Sequence, residues 1–141
     1  MTKPNPFVSI LCLLGLLTPG AFSQKPSNAD SAGNTFLSAR QTFKIRFESD
    51  PHPIPRNEPF TLEIWILDRD GNPPDSLTLH VDARMPDHRH GMVRVPKITA
   101  LAPGHFKVTN MLFHMPGRWV LHFDMTHQGL TERGSFEVNL E

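Results

Sequence analysis

Leu77-Thr78-Leu79-His80-Val81-Asp82-Ala83-Arg84-Met85 is the stretch that decides the fold. Apolar and polar residues alternate along it, the period-two pattern of a strand with one face in a core and the other in water. The same alternation precedes it in Phe60-Thr61-Leu62-Glu63-Ile64-Trp65-Ile66, and before that in Phe43-Lys44-Ile45-Arg46-Phe47. Downstream, Val93 to Leu101 gives a fourth strand, where Pro96 removes a ladder donor and so predicts an edge or bulged strand. His105 to about Phe113 gives a fifth strand. Trp119, Leu121, Phe123 and Met125 mark a sixth, and a seventh runs from Leu130 to Leu140 after Gln128-Gly129. Asp50 to Pro55, Asp68 to Pro74 and Ala102 to Gly104 are turns or loops by composition. Seven short strands with no helical period, in about 100 residues, predict an all-β, immunoglobulin-like antiparallel β-sandwich.

The 141 residues suffice for one core domain with appendages, and formal charge sums to zero. Nothing in that balance suggests nucleic acid as a partner. The N-terminus reads as a signal peptide over residues 1–23. Lys3 stands before the apolar run Phe7 to Leu17, and Ala21-Phe22-Ser23 precedes a cleavage point at Gln24. That predicts a periplasmic or secreted protein, with membrane contact only if the segment stays as an uncleaved anchor. Residues 24–40, rich in Ser, Asn, Ala, Asp and Gly, read as a flexible tether, and 41–141 as the sandwich. The lone cysteine, Cys12, lies in the discarded segment. A soft-metal site in the mature chain must therefore use thioether and imidazole.

Two stretches stand out against the strands. Met85-Pro86-Asp87-His88-Arg89-His90-Gly91-Met92 and Met111-Leu112-Phe113-His114-Met115-Pro116-Gly117 hold three of the eight histidines and four of the six methionines. Successive antiparallel strands put their connections at alternate ends, so both stretches, and the loop carrying His52, fall on one rim. His88, His90 and Met92, two apart, share a side if that segment is extended. Thioethers favour Cu(I), and imidazole serves copper or zinc, so a rim of His88, His90, Met92, His114 and Met115 suits copper, with Cu(I) favoured. A sulfur-free alternative is Cu(II) or Zn(II) on the three histidines alone. Met85 and Met111 read as core gap-fillers, and His80 and His122 as solvent-facing. His105 and His127 belong to the far end.

From about Phe60 to Phe136, Asp70-Gly71, Met85-Pro86, the block His88 to Met92 and the block Phe113 to Gly117 resemble the YtkA-like and FixH-like extracytoplasmic domains. The resemblance implies an exported immunoglobulin-like sandwich associated with copper handling or oxidase maturation. An enzyme is not expected. His88-Arg89-His90 matches a cupin histidine pair only superficially, since Arg94 stands where a carboxylate ligand belongs, and no activated serine or cysteine is present. The expected function is copper binding for buffering or for delivery to a redox or oxidase protein. The alternative is a metal-free interaction module that docks on a membrane or redox complex.

Overall fold

The computed structural model describes residues 34–141, so the predicted signal segment, the predicted cleavage point and most of the predicted tether lie outside the described residues. Nine strands follow in order: β1 Asn34–Leu37, β2 Lys44–Asp50, β3 Pro59–Leu67, β4 Thr78–Met85, β5 His90–Gly91, β6 Lys97–Ala102, β7 His105–Leu112, β8 Gly117–His127 and β9 Leu130–Leu140. They form two antiparallel sheets, ordered β1-β2-β3-β7-β6 and β5-β4-β8-β9. Without β1, this is the immunoglobulin arrangement of a four-stranded sheet facing a three-stranded one, here with β5 as an extra edge strand.

The predicted alternation becomes the core. Ile45, Phe47, Leu62, Ile64, Ile66, Val81, Ala83, Met85, Trp119, Leu121, Phe123 and Met125 point between the sheets and are essentially inaccessible to water. Burying a side chain of this size stabilises by roughly 1.5–3 kcal/mol, so the two inner faces hold the sheets together.

Three expectations are corrected. The tether of residues 24–40 does not extend to its predicted end, because Asn34–Leu37 pairs with β2 in register Phe36↔Ile45. Phe36 lies against Phe47, Phe123 and Phe136, with ring centroids 5.4–6.3 Å apart. This one aromatic side chain gives the polar segment enough burial to order its strand. The fourth predicted strand starts later, at Lys97, leaving Met92 to Pro96 irregular. It is nevertheless an edge, with its ladder shifted between Ala100 and Ala102. Finally, Pro86 to Arg89 is a tight turn, with the Arg89 N–H donating to the Met85 carbonyl at 2.9 Å. Met85 therefore pairs with His90, and β4–β5 is a hairpin instead of an extended segment.

Candidate metal centre

The rim is built from two connections, β4–β5 and β7–β8. In the first, Arg89 takes the left-handed conformation (φ 60°) that closes the turn and returns His90 beside Met85. In the second, the chain leaves β7 past the buried Phe113 and enters β8 at Gly117 with φ 113°, a value that favours glycine. A Cβ at Gly117 would meet the Met85 Cε at 3.2 Å, so the two connections are packed together here.

The three predicted histidines form a row. The His90 ring lies 5.3 Å from that of His114 and 5.9 Å from that of His88, centroid to centroid. Two imidazoles bound to one ion at about 2 Å per nitrogen would have centroids about 5–6 Å apart. The floor is Trp119, fully buried and stacked on Phe113 at 4.5 Å and 6°. Both His90 and His114 stand edge-on to its indole, at 6.1 and 5.5 Å. The Trp119 Nε1–H donates to the Met115 carbonyl at 3.0 Å, fixing the bend that carries Met115. Met92 and Met115 are half-buried against the core, and Met92 is tied by its N–H to the Ala83 carbonyl at 3.1 Å.

Hydrogen-bond roles follow from the partners. The Nδ1 of His90 lies 3.1 Å from the Gly91 carbonyl, which can only accept, so Nδ1 carries the proton and Nε2 presents a lone pair. The Nδ1 of His114 is buried with no hydrogen-bond partner. An unsatisfied buried polar atom costs roughly 1–3 kcal/mol, and a bound cation would remove that cost. His127 Nδ1 is also buried and unpartnered, but its ring contact is with Phe43 at the far end, with no second imidazole beside it.

A clamp not foreseen from sequence fixes the hairpin turn. Arg118 donates from Nη2 and Nε to the two Asp87 carboxylate oxygens at 3.0 and 3.2 Å, and from Nη1 to Glu137 at 3.1 Å. The Arg118 guanidinium holds the Asp87 carboxyl below its usual range, with a smaller contribution from His88. Asp87 sits in the β4–β5 turn and Arg118 at the start of β8, so only the folded sheet pairs them.

The other histidines are placed elsewhere. His52 is exposed, with Nδ1 3.4 Å from Ser49 Oγ. His80 faces Asp124 at 3.9 Å, and His122 Nδ1 lies 3.0 Å from Ser135 Oγ on the same outer sheet face. His105 is stacked on Trp65 at 5.1 Å and bonded to Glu63 at 2.7 Å. Met85 and Met111 are fully buried in the core. Among the described residues, no three His, Cys, Asp or Glu side chains are grouped to hold an ion by themselves.

Comparison with solved structures places the fold among known sandwiches. A DUF4426 family protein from Pseudomonas aeruginosa PAO1 is similar with a TM-score of 0.51 at 8% identity, over 76% of this chain and 96% of that one. More distant similarities are to FetP of uropathogenic E. coli strain F11 (TM-score 0.42, 14% identity, 77% and 90% covered) and to the ZirS C-terminal domain (TM-score 0.38, 14% identity, 99% and 88% covered). Neither bears on function at that distance. No curated protein matches the chain. The YtkA-like family profile, however, matches residues 38–124, which takes in both connections as well as six complete strands, and on that match the chain belongs to the YtkA-like family.

Proposed function

We propose that this is an exported copper-binding module that holds Cu(I) at the His/Met rim and buffers it or passes it to a redox or oxidase protein. The observation that carries this reading is the unpartnered, buried Nδ1 of His114, in a ring 5.3 Å from that of His90, whose own Nε2 is left bare. Two imidazoles and the thioethers of Met92 and Met115 would supply a neutral three- or four-coordinate set, which matches the preference of a soft monovalent ion. His88, exposed at the end of the row, is a further ligand or a gate to the site. The hydrogen bonds to Gly91 O and from Trp119 to Met115 O would orient the ligands before the ion arrives. No reaction on a substrate is assigned.

The test is anaerobic Cu(I) titration of residues 24–141 in competition with a chelator. One equivalent should bind, with affinity lowered about ten- to a hundredfold in His90→Ala and in Met115→Leu. Unchanged affinity in both variants, or no binding above nonspecific levels, would leave the metal-free docking reading in its place. Retained Zn(II) binding in Met92→Leu would favour a sulfur-free site.

A further inference from the structure

The segment that follows the rim has an unusual surface. Val93 and Val95 are 69% and 78% exposed, more than any other large hydrophobic side chain described. They are not on a loose loop. The Asn110 Nδ2–H donates to the Val95 carbonyl at 2.9 Å, and Asn110 Oδ1 accepts from Arg94 Nη1 at 3.4 Å. Asn110 itself takes a left-handed backbone (φ 63°) at this point in β7, and Pro96 stiffens the exit into β6. The protein thus holds two valines out in water at defined positions, immediately after Met92.

The charge around them is one-sided. The chain is neutral overall, yet from His88 to Phe123 it contains no aspartate or glutamate. Arg94 and Lys97 neighbour the valines in sequence and Arg89 precedes them in the turn, and among the described residues none of the three has an ion-pair partner. The nearest acid in sequence, Asp87, is already held by Arg118. An apolar pair flanked by unpaired cations complements an apolar patch flanked by carboxylates.

We infer that Val93 to Lys97 is a docking ledge for a protein partner with an acidic rim, which receives the ion held next to it. This deepens the copper reading and rests on it. A second copy of this chain is disfavoured as the occupant, because juxtaposed ledges would oppose like charges. A lipid surface is disfavoured too, because the ledge offers β-branched valines and none of the aromatic residues that seat proteins at a bilayer interface.

The experiment places a photo-crosslinking amino acid at Val95 of the full chain in the cell that makes it. The control position is Leu130, 67% exposed in the β8–β9 hairpin at the other end. The captured protein is identified, purified and titrated calorimetrically against the full chain. Adducts at position 95 and not at 130 are expected, with affinity falling about tenfold or more in Val93→Ser/Val95→Ser, in Arg94→Glu and at raised salt. The inference is overturned by no adduct beyond the control, by an adduct to lipid or to a second copy, or by binding indifferent to these substitutions. Anaerobic Cu(I) titration of the double valine variant separates the two claims. Affinity should equal that of the unaltered chain: lost docking with intact Cu(I) binding supports the ledge, and docking retained in this variant with intact Cu(I) binding sinks the ledge alone. An unaltered chain that takes up no Cu(I) sinks the metal reading and the delivery role of the ledge with it.

Discussion

Methionines at one rim illustrate how residue type and position divide the labour. Met85 is sealed beneath Gly117, and Met92 lies half-buried seven residues on. Met85→Ala should cost about 2–5 kcal/mol in urea unfolding, because it opens a cavity between the sheets, while leaving Cu(I) affinity almost unchanged. Met92→Leu conserves volume and should cost under about 1.5 kcal/mol, yet weaken Cu(I) in chelator competition. The reverse pattern would move the ligand inward and undo the assignment. Sequence distinguishes these two because Met85 continues the strand alternation and Met92 does not. It could not reveal the orphaned nitrogen of His114, which depends on burial by neighbours from another strand. The role of Trp119 was only half legible. Its place in the alternation predicted a core side chain, whereas its indole donating to Met115 is a tertiary fact. Trp119→Phe should lose about 1–3 kcal/mol and loosen the Met115 bend, read as unfolding midpoint and as Cu(I) affinity together.

At the level of elements, composition misled where one residue outweighed its neighbours. Asn34–Leu37 looks like linker, but Phe36 fits over Gly134, where a Cβ would come within 2.9 Å of its ring. A short strand closes beneath it. The buried Glu132 carboxylate accepts the Arg40 N–H at 2.7 Å, and the Phe43 N–H donates to Ser38 Oγ at 2.9 Å, so the turn from β1 into β2 is capped. Phe36→Ala should destabilise by about 2–4 kcal/mol, with hydrogen exchange quickening first along β1 and β2. The β4–β5 hairpin offers the opposite case. Its residues were legible as a special stretch, but not its turn, because a left-handed arginine carries no compositional signal. The Asp87–Arg118 clamp stiffens that turn, so Arg118→Ala should speed exchange of the amides from His88 to Met92 while leaving β9 protected.

For the molecule as a whole, the sandwich was readable because period-two alternation and turn composition are local signals, and loop parity turned them into a common rim. Its response to pH depends on contacts that no local pattern encodes. Burial lowers the pKa of His122 from 6.5, so the unfolded chain takes up a proton there before the folded one does. Stability from this group is therefore present above about 6.5 and lost as pH falls below it toward the lower folded value. The Arg133 hydrogen bonds hold Asp124 below its ordinary value. In Glu132, burial pushes the carboxyl up, but hydrogen bonds from Ser38, Thr42 and Arg40 outweigh it and leave the value lowered. Carboxylates of this kind contribute above their unfolded pKa of about 4 and lose that contribution on further acidification. The melting temperature should thus fall in two stages between pH 7 and 3, and His122→Gln should flatten the first. Trp119 is the floor beneath both imidazoles, while the other indole, Trp65, lies on the outer sheet face between Arg46 and His105. A Trp65→Phe protein would emit from a single buried chromophore at the rim, so occupancy of that rim could be followed by quenching of its light, with no added dye.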